Sequence, residues 1–174
     1  MKDMRKIVAL FFAFLILSSL SASVSLSVDL ASLDFLWKED LRIDAECSFD
    51  YDNIRITIPI RYGLSEDKYL NLLESGILVG VFPFENLGLM VEASLFKLGY
   101  FWGLASPTDR LVLLSEGSIG WNGNIGMFHI CPRLTFRSLL SISGEGAEAM
   151  KRISQFDGLR LSLAMGVNLG EINN

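Results

Sequence analysis

With 174 residues, a net charge of -5 and no run of lysines or arginines, the chain lacks the basic footprint of a nucleic-acid binder. Its hydrophobic share of 51% and positive mean hydropathy are high for one soluble domain, yet past the first residues nothing approaches the roughly 20 continuous apolar residues of a transmembrane helix. Two cysteines and one histidine, widely scattered, make no metal-ligand cluster, and no cofactor is expected.

Lys2, Arg5 and Lys6 precede an apolar run from Ile7 to Leu17 and then small residues from Ser18 to Ser23. That order predicts a signal peptide over 1–22, cleaved near 21–23, ahead of a single domain over 23–174. Val24, Leu26, Val28 and Leu30 alternate with Ser25, Ser27 and Asp29 as a first strand, followed by a loop from Ala31 to Asp40 that carries Phe35 and Trp37.

From Leu41 to Tyr62 the alternation is free of errors. Leu41, Ile43, Ala45, Cys47, Phe49 and Tyr51 take one face, and Arg42, Asp44, Glu46, Ser48 and Asp50 the other. After a turn at Asp52-Asn53, Ile54, Ile56, Ile58, Ile60 and Tyr62 continue the apolar face and Arg55, Thr57, Pro59 and Arg61 the polar one. A period of two excludes a helix and predicts a β-hairpin.

Gly63 to Asn71 is a second long connection. Leu73 to Val81 and Leu87 to Leu95 alternate about a turn at Pro83, Phe84, Glu85 and Asn86, with Glu74, Gly76, Leu78, Gly80, Gly88, Met90, Glu92, Ser94 and Phe96 on the polar face. Gly99 to Asp109 is a third long loop; its Tyr100-Phe101-Trp102 group suggests two strands prolonged beyond the wall, or else a partner patch. Leu111 to Trp121 and Phe128 to Phe136 flank Asn122-Gly123, a strong two-residue hairpin signal. That turn places His129 directly across from Glu116. Ser138 to Phe156 is the longest loop, with Ala147, Met150 and Ile153 at the spacing of a short helix, a candidate lid; Leu159 to Leu169 is the last strand.

Eight strands with connections alternating long and short predict an all-β fold, an eight-stranded antiparallel up-and-down transmembrane barrel. Alternation alone also fits a soluble barrel with its apolar face inward. The polar face decides: it is rich in glycine and serine, contains no lysine under this register, and balances Arg42, Arg55, Arg61, Arg110, Arg133, Arg137 and Arg160 against Asp29, Asp44, Glu46, Asp50, Glu74, Glu92 and Glu116. Small residues and paired arginines suit a crowded lumen. The expected lumenal charge network is Arg42, Asp44, Glu46, Arg55, Arg61, Glu74, Glu92, Glu116, His129, Arg133, Arg137 and Arg160.

Tyr51, Tyr62, Trp121, Phe49 and Phe136 fall near strand ends on the apolar face, where aromatic girdles meet headgroups. Cys47 has the apolar parity and Cys131 the polar, so they should not pair. Pro59 and Pro132 predict a bulge or a local register adjustment. His129 is expected to be structural, since no positioned serine or second base accompanies it.

Over Val24 to Leu169 the chain resembles the small eight-stranded outer-membrane barrels of the OmpA-transmembrane, OmpX and OmpW class, in leader, strand count, loop rhythm and charged lumen. Barrels of that class commonly end on an aromatic residue, whereas Leu169 is followed by Gly170, Glu171, Ile172, Asn173 and Asn174. The resemblance implies the outer membrane of a diderm bacterium, with outer-membrane lipid and the barrel-assembly machinery as partners. The expected role is non-enzymatic, structural or adhesive, with an extracellular partner met through the long loops. A narrow channel for small or hydrophobic solutes and a soluble periplasmic lipocalin-like carrier are the alternatives.

Overall fold

Tyr51 and Ile54 are the last paired residues of an antiparallel hairpin in which Asp50 faces Arg55, Ser48 faces Thr57 and Asp44 faces Arg61. Asp52 takes a positive φ of 53° in the two-residue turn, the backbone conformation tight hairpins need and asparagine or aspartate tolerate. In the computed structural model the described residues are 23–30, 42–64, 70–84, 87–103, 111–139 and 159–171. Within them lie β1 (Ser23–Asp29), β2 (Arg42–Tyr51), β3 (Ile54–Leu64), β4 (Leu70–Phe84), β5 (Leu89–Gly103), β6 (Leu111–Trp121), β7 (Gly123–Ile125), β8 (Phe128–Leu139) and β9 (Leu159–Glu171).

Each strand pairs antiparallel with the next in sequence except β6, which like β7 pairs with β8, and β1 pairs with β9, so the sheet closes. Because β6 and β7 are two segments of one wall strand against β8, the fold is all-β, an eight-stranded closed antiparallel barrel of up-and-down order. Among the described residues, closure removes the open edges of the sheet apart from the short extension β7, which pairs with β8 alone. Ser23 pairs with both Asp50 and Glu171, which sets the start of β1 and the end of β9 at the rim carrying the short turns.

Side chains alternate across this wall, most regularly in β3 and β6. In β3 and β6 every second residue is buried, and the residues between are largely exposed or half-buried leucine, isoleucine, tyrosine and tryptophan. The exposed set includes Leu161 at 77%, Leu95 at 75% and Ile60 at 56%, while the buried set holds Arg55, Arg61, Glu74, Glu92, Lys97, Glu116 and Arg133. The outer wall is therefore apolar and the interior polar, the reverse of a soluble barrel. Cys47 and Cys131 are unpaired, as their opposite parities require.

Several expectations are corrected. The hairpin after β6 does not turn at Asn122-Gly123: Gly123 pairs with Ile130 and Ile125 with Phe128, and the turn is Gly126-Met127, with Gly126 at φ 62°. The register Gly120 to Arg133 continues as Gly123 to Ile130, so a longer hairpin with more ladder bonds prevails over the local Asn-Gly preference. Nor do the prolines shift register. The β3–β4 ladder lapses between Thr57–Leu78 and Ile60–Ser75 and resumes unshifted, and the β6/β7–β8 ladder does the same opposite Pro132. Proline removes one donor; it does not add a residue.

A bulge does interrupt β5. Ile77 pairs with Phe96 but Leu78 with Ser94, leaving Leu95 as the extra residue. Beyond it the strand is turned over, so Phe96 faces outward and Lys97 inward, contrary to the expectation of a lysine-free interior. The third long loop also begins later than expected, since β5 runs to Gly103 and includes Tyr100, Phe101 and Trp102. β3 likewise reaches Leu64 and β4 starts at Leu70, narrowing the second connection. The expected signal peptide, the lid helix at 147–153, Arg110 and most of the long loops lie outside the described residues.

Candidate functional site: the charged lumen

Inward positions of β2, β3, β4, β5, β6 and β8 bring acids and bases together because alternation sends every second side chain to the bore. At its centre, Glu116 Oε2 accepts from Arg61 Nη1, Arg137 Nε at 3.0 Å and Lys97 Nζ. Glu74 accepts a two-pronged contact from Arg137 at 3.1 and 3.2 Å, and its Oε2 lies 2.8 Å from Lys97 Nζ. Arg61 also donates through Nε to Asp44 Oδ1 at 2.8 Å. Three cations and three carboxylates thus share one enclosed node, with Lys97 at 1% exposure and Glu74 at 0%. Charges can be held so far from water only when each is met by others in good geometry.

Toward the long-loop side of β4, β5 and β6 the inward residues change character. Leu72, Phe101, Val112 and Leu114 are all buried there, and a methyl at Gly99 would lie 2.9 Å from Val112 and 3.2 Å from Leu72. On the opposite side of the node the network thins. Arg133 donates to Glu46 Oε2 at 2.6 Å, and Glu92 Oε2 lies 3.6 Å from Arg133 and accepts from Ser118 at 3.4 Å. Arg55 clamps Asp50 with two bonds of 2.6 Å, donates to Met90 Sδ at 3.5 Å and stands 5.2 Å from the Phe82 ring centroid. Against the wall, Arg160 donates to Asp29 at 2.9 Å and lies 3.6 Å from Asp44.

Of the expected network, Asp44, Glu46, Arg55, Arg61, Glu74, Glu92, Glu116, His129, Arg133, Arg137 and Arg160 are inward, and all but His129 appear in these contacts. Arg42 occupies β2 opposite Gly63; its side chain is not among those described. Lys97 is the residue the sequence misplaced. Its signal was Leu95-Phe96, two adjacent apolar residues that break alternation and admit a bulge.

His129 does not face Glu116, whose strand partner is Arg137; His129 pairs instead with Asn124 and Gly166. It stands among Arg55, Asp50, Arg133 and Glu46, with Nδ1 lacking a hydrogen-bond partner. Among the described residues no group of three His, Cys, Asp or Glu side chains could hold a metal ion.

At the long-connection rim Tyr62 donates to Asn71 Oδ1 at 2.9 Å and lies 5.8 Å from Trp102, which stacks on Tyr100 at 6.1 Å. Tyr51, Phe84, Trp121 and Phe128 are exposed at the short-turn rim. Fold and site together define a small closed β-barrel with an apolar wall and an ion-paired interior. No protein-family model, curated protein or solved structure matches the chain.

Proposed function

We propose that this chain is a non-enzymatic β-barrel of an outer membrane, structural or adhesive in role, which presents its four long connections on the cell surface. The observation that carries the reading is the inverted wall: Leu161, Leu95, Ile60 and their neighbours are exposed all round, while Arg61, Glu74 and Lys97 are buried. Bare apolar surface of this extent is costly in water and favourable against acyl chains. Tyr62, Trp102 and Tyr100 at one rim and Tyr51 and Trp121 at the other suit two headgroup layers. Outer-membrane lipid and the assembly machinery are the partners this reading requires.

The node argues for a structural role over a channel, because Arg61, Lys97, Arg137, Glu74 and Glu116 occupy the bore and satisfy one another. A soluble carrier would need an apolar interior, and this interior is charged. Protein refolded into planar bilayers is expected to be silent, and in cells to resist carbonate extraction from the outer-membrane fraction. Steady conductance that changes on Glu116→Gln would support the channel instead, and release by carbonate would reject the membrane reading.

A further inference from the structure

The outer face of the barrel is not uniform. β3 turns Ile54, Ile56, Ile58, Ile60 and Tyr62 outward, and β9 turns Leu159, Leu161, Leu163 and Met165, all of them large. On β6 the outward residues between Leu113 and Ile119 are Ser115 and Gly117, which are small. Beside them on β5 the bulge sends two consecutive side chains outward, Leu95 and Phe96, both exposed. On the other flank Gly117 pairs with Phe136 of β8, also exposed. A trough floored by Ser115 and Gly117 therefore runs between a ridge of Leu95 and Phe96 and the ring of Phe136.

Ridge and trough stand at one level of the wall, because Ala93 pairs with Gly117 and Leu98 with Leu113, and Leu95, Phe96 and Ser115 lie between these two rungs. A two-fold interface presents one patch twice, so it needs a knob and a hole side by side. This face has both. Small residues also let two backbones approach closely, and close packing is what joins chains already in lipid, where burying apolar surface gains little.

The ladder at the same place supplies a second reason. Among the described residues, Ser94 to Lys97 make no pair with β6, and Leu114, Ser115 and Glu116 none with β5. The Glu116 amide donates to Ser94 Oγ at 2.9 Å, so a side chain replaces one ladder bond. Backbone groups without ladder partners are costly against acyl chains, and a protein surface that carries a hydroxyl covers them better than lipid does. We infer that two copies of this chain pair in the membrane through β5 and β6, with Leu95 and Phe96 of each seated in the Ser115–Gly117 trough of the other.

The inference rests on the membrane-barrel reading, and one preparation tells the two apart. Full-length chains carrying Cys47→Ala and Cys131→Ala are refolded in phosphatidylcholine vesicles, checked by heat-modifiable gel migration and oxidised with copper phenanthroline. A mixture of Leu95→Cys and Ser115→Cys copies should give a covalent dimer that persists as the protein is diluted with lipid. Val28→Cys copies, whose thiol lies on β1 across the barrel, should give none.

Gly117→Leu fills the trough and should lower the cross-linked fraction by about ten-fold, since a large side chain there holds the backbones apart. Phe96→Ala thins the ridge without touching the trough and should lower it several-fold. Embedded copies that give no dimer, that cross-link equally through Val28→Cys, or whose cross-linking is unchanged in folded Gly117→Leu and Phe96→Ala proteins would overturn the inference. Release of the protein from the vesicles by carbonate would instead sink the membrane reading.

Discussion

Lys97 Nζ and Glu116 Oε2 are in direct contact inside the barrel, and that same carboxylate oxygen also receives Arg61 and Arg137. Glu116→Gln therefore removes the charge on which three cations converge, leaving them to Glu74 and Asp44. Breaking a buried ion pair from one side costs about 3–5 kcal/mol. Urea unfolding of refolded protein should show a loss of this order for Glu116→Gln and a smaller one for Lys97→Met, which leaves Glu116 with two arginines. Equal, negligible effects would mean that the node contributes nothing to the fold.

Outward and inward positions should respond oppositely to charge. Met165 is exposed on the wall midway along β9, and an arginine placed near the midplane of a lipid-facing strand costs about 2–4 kcal/mol. Met165→Arg should destabilise the barrel in vesicles by this amount. In a water-soluble barrel the same change would be neutral, so the unfolding midpoint discriminates between the two environments.

Gly126 and Asp52 both have positive φ, at 62° and 53°. Gly126→Ala should cost about 1 kcal/mol through left-handed strain, while Asp52→Gly should be neutral or stabilising by a similar margin. Gly123, at the turn the sequence favours, has no positive φ to protect; a methyl there meets the Trp121 ring instead. Equilibrium unfolding of the variants checks the order.

Gly76 is a point of close backbone approach. A Cβ there would stand 2.3 Å from the Phe96 carbonyl oxygen and 2.8 Å from Lys97 Cα, neither able to retreat without opening the β4–β5 ladder. Gly76→Ala should block formation of the compact, heat-modifiable form. Gly117→Ala, whose nearest atom would be 3.6 Å away, should assemble normally.

Strand number, order and inner versus outer face were legible because alternation reports on each strand locally and closure only adds them up. The Asp44–Arg61 and Asp50–Arg55 pairs lie within one tight hairpin, so its turn fixed them. The partners of Lys97 and His129 were not legible. Lys97 depends on a single extra residue at Leu95, whose placement follows from pairing with both β4 and β6. His129 depends on a register that the Asn122-Gly123 dipeptide misreports, since the gain of three further ladder pairs, Gly123–Ile130 to Ile125–Phe128, outweighs the local turn. Both errors are of register, which a period of two does not encode.

The most direct test of the account is a map of acyl-chain contacts. Wild-type protein refolded in vesicles carrying a photoactivatable diazirine lipid is irradiated, and adducts are located by peptide mass spectrometry. The account predicts adducts on Ile58, Ile60, Leu161, Leu163 and Met165, which face outward, and none on Thr57, Arg61, Glu74 or Ala164 between and behind them. Adducts on the inward set, or none on the outward one, would contradict it.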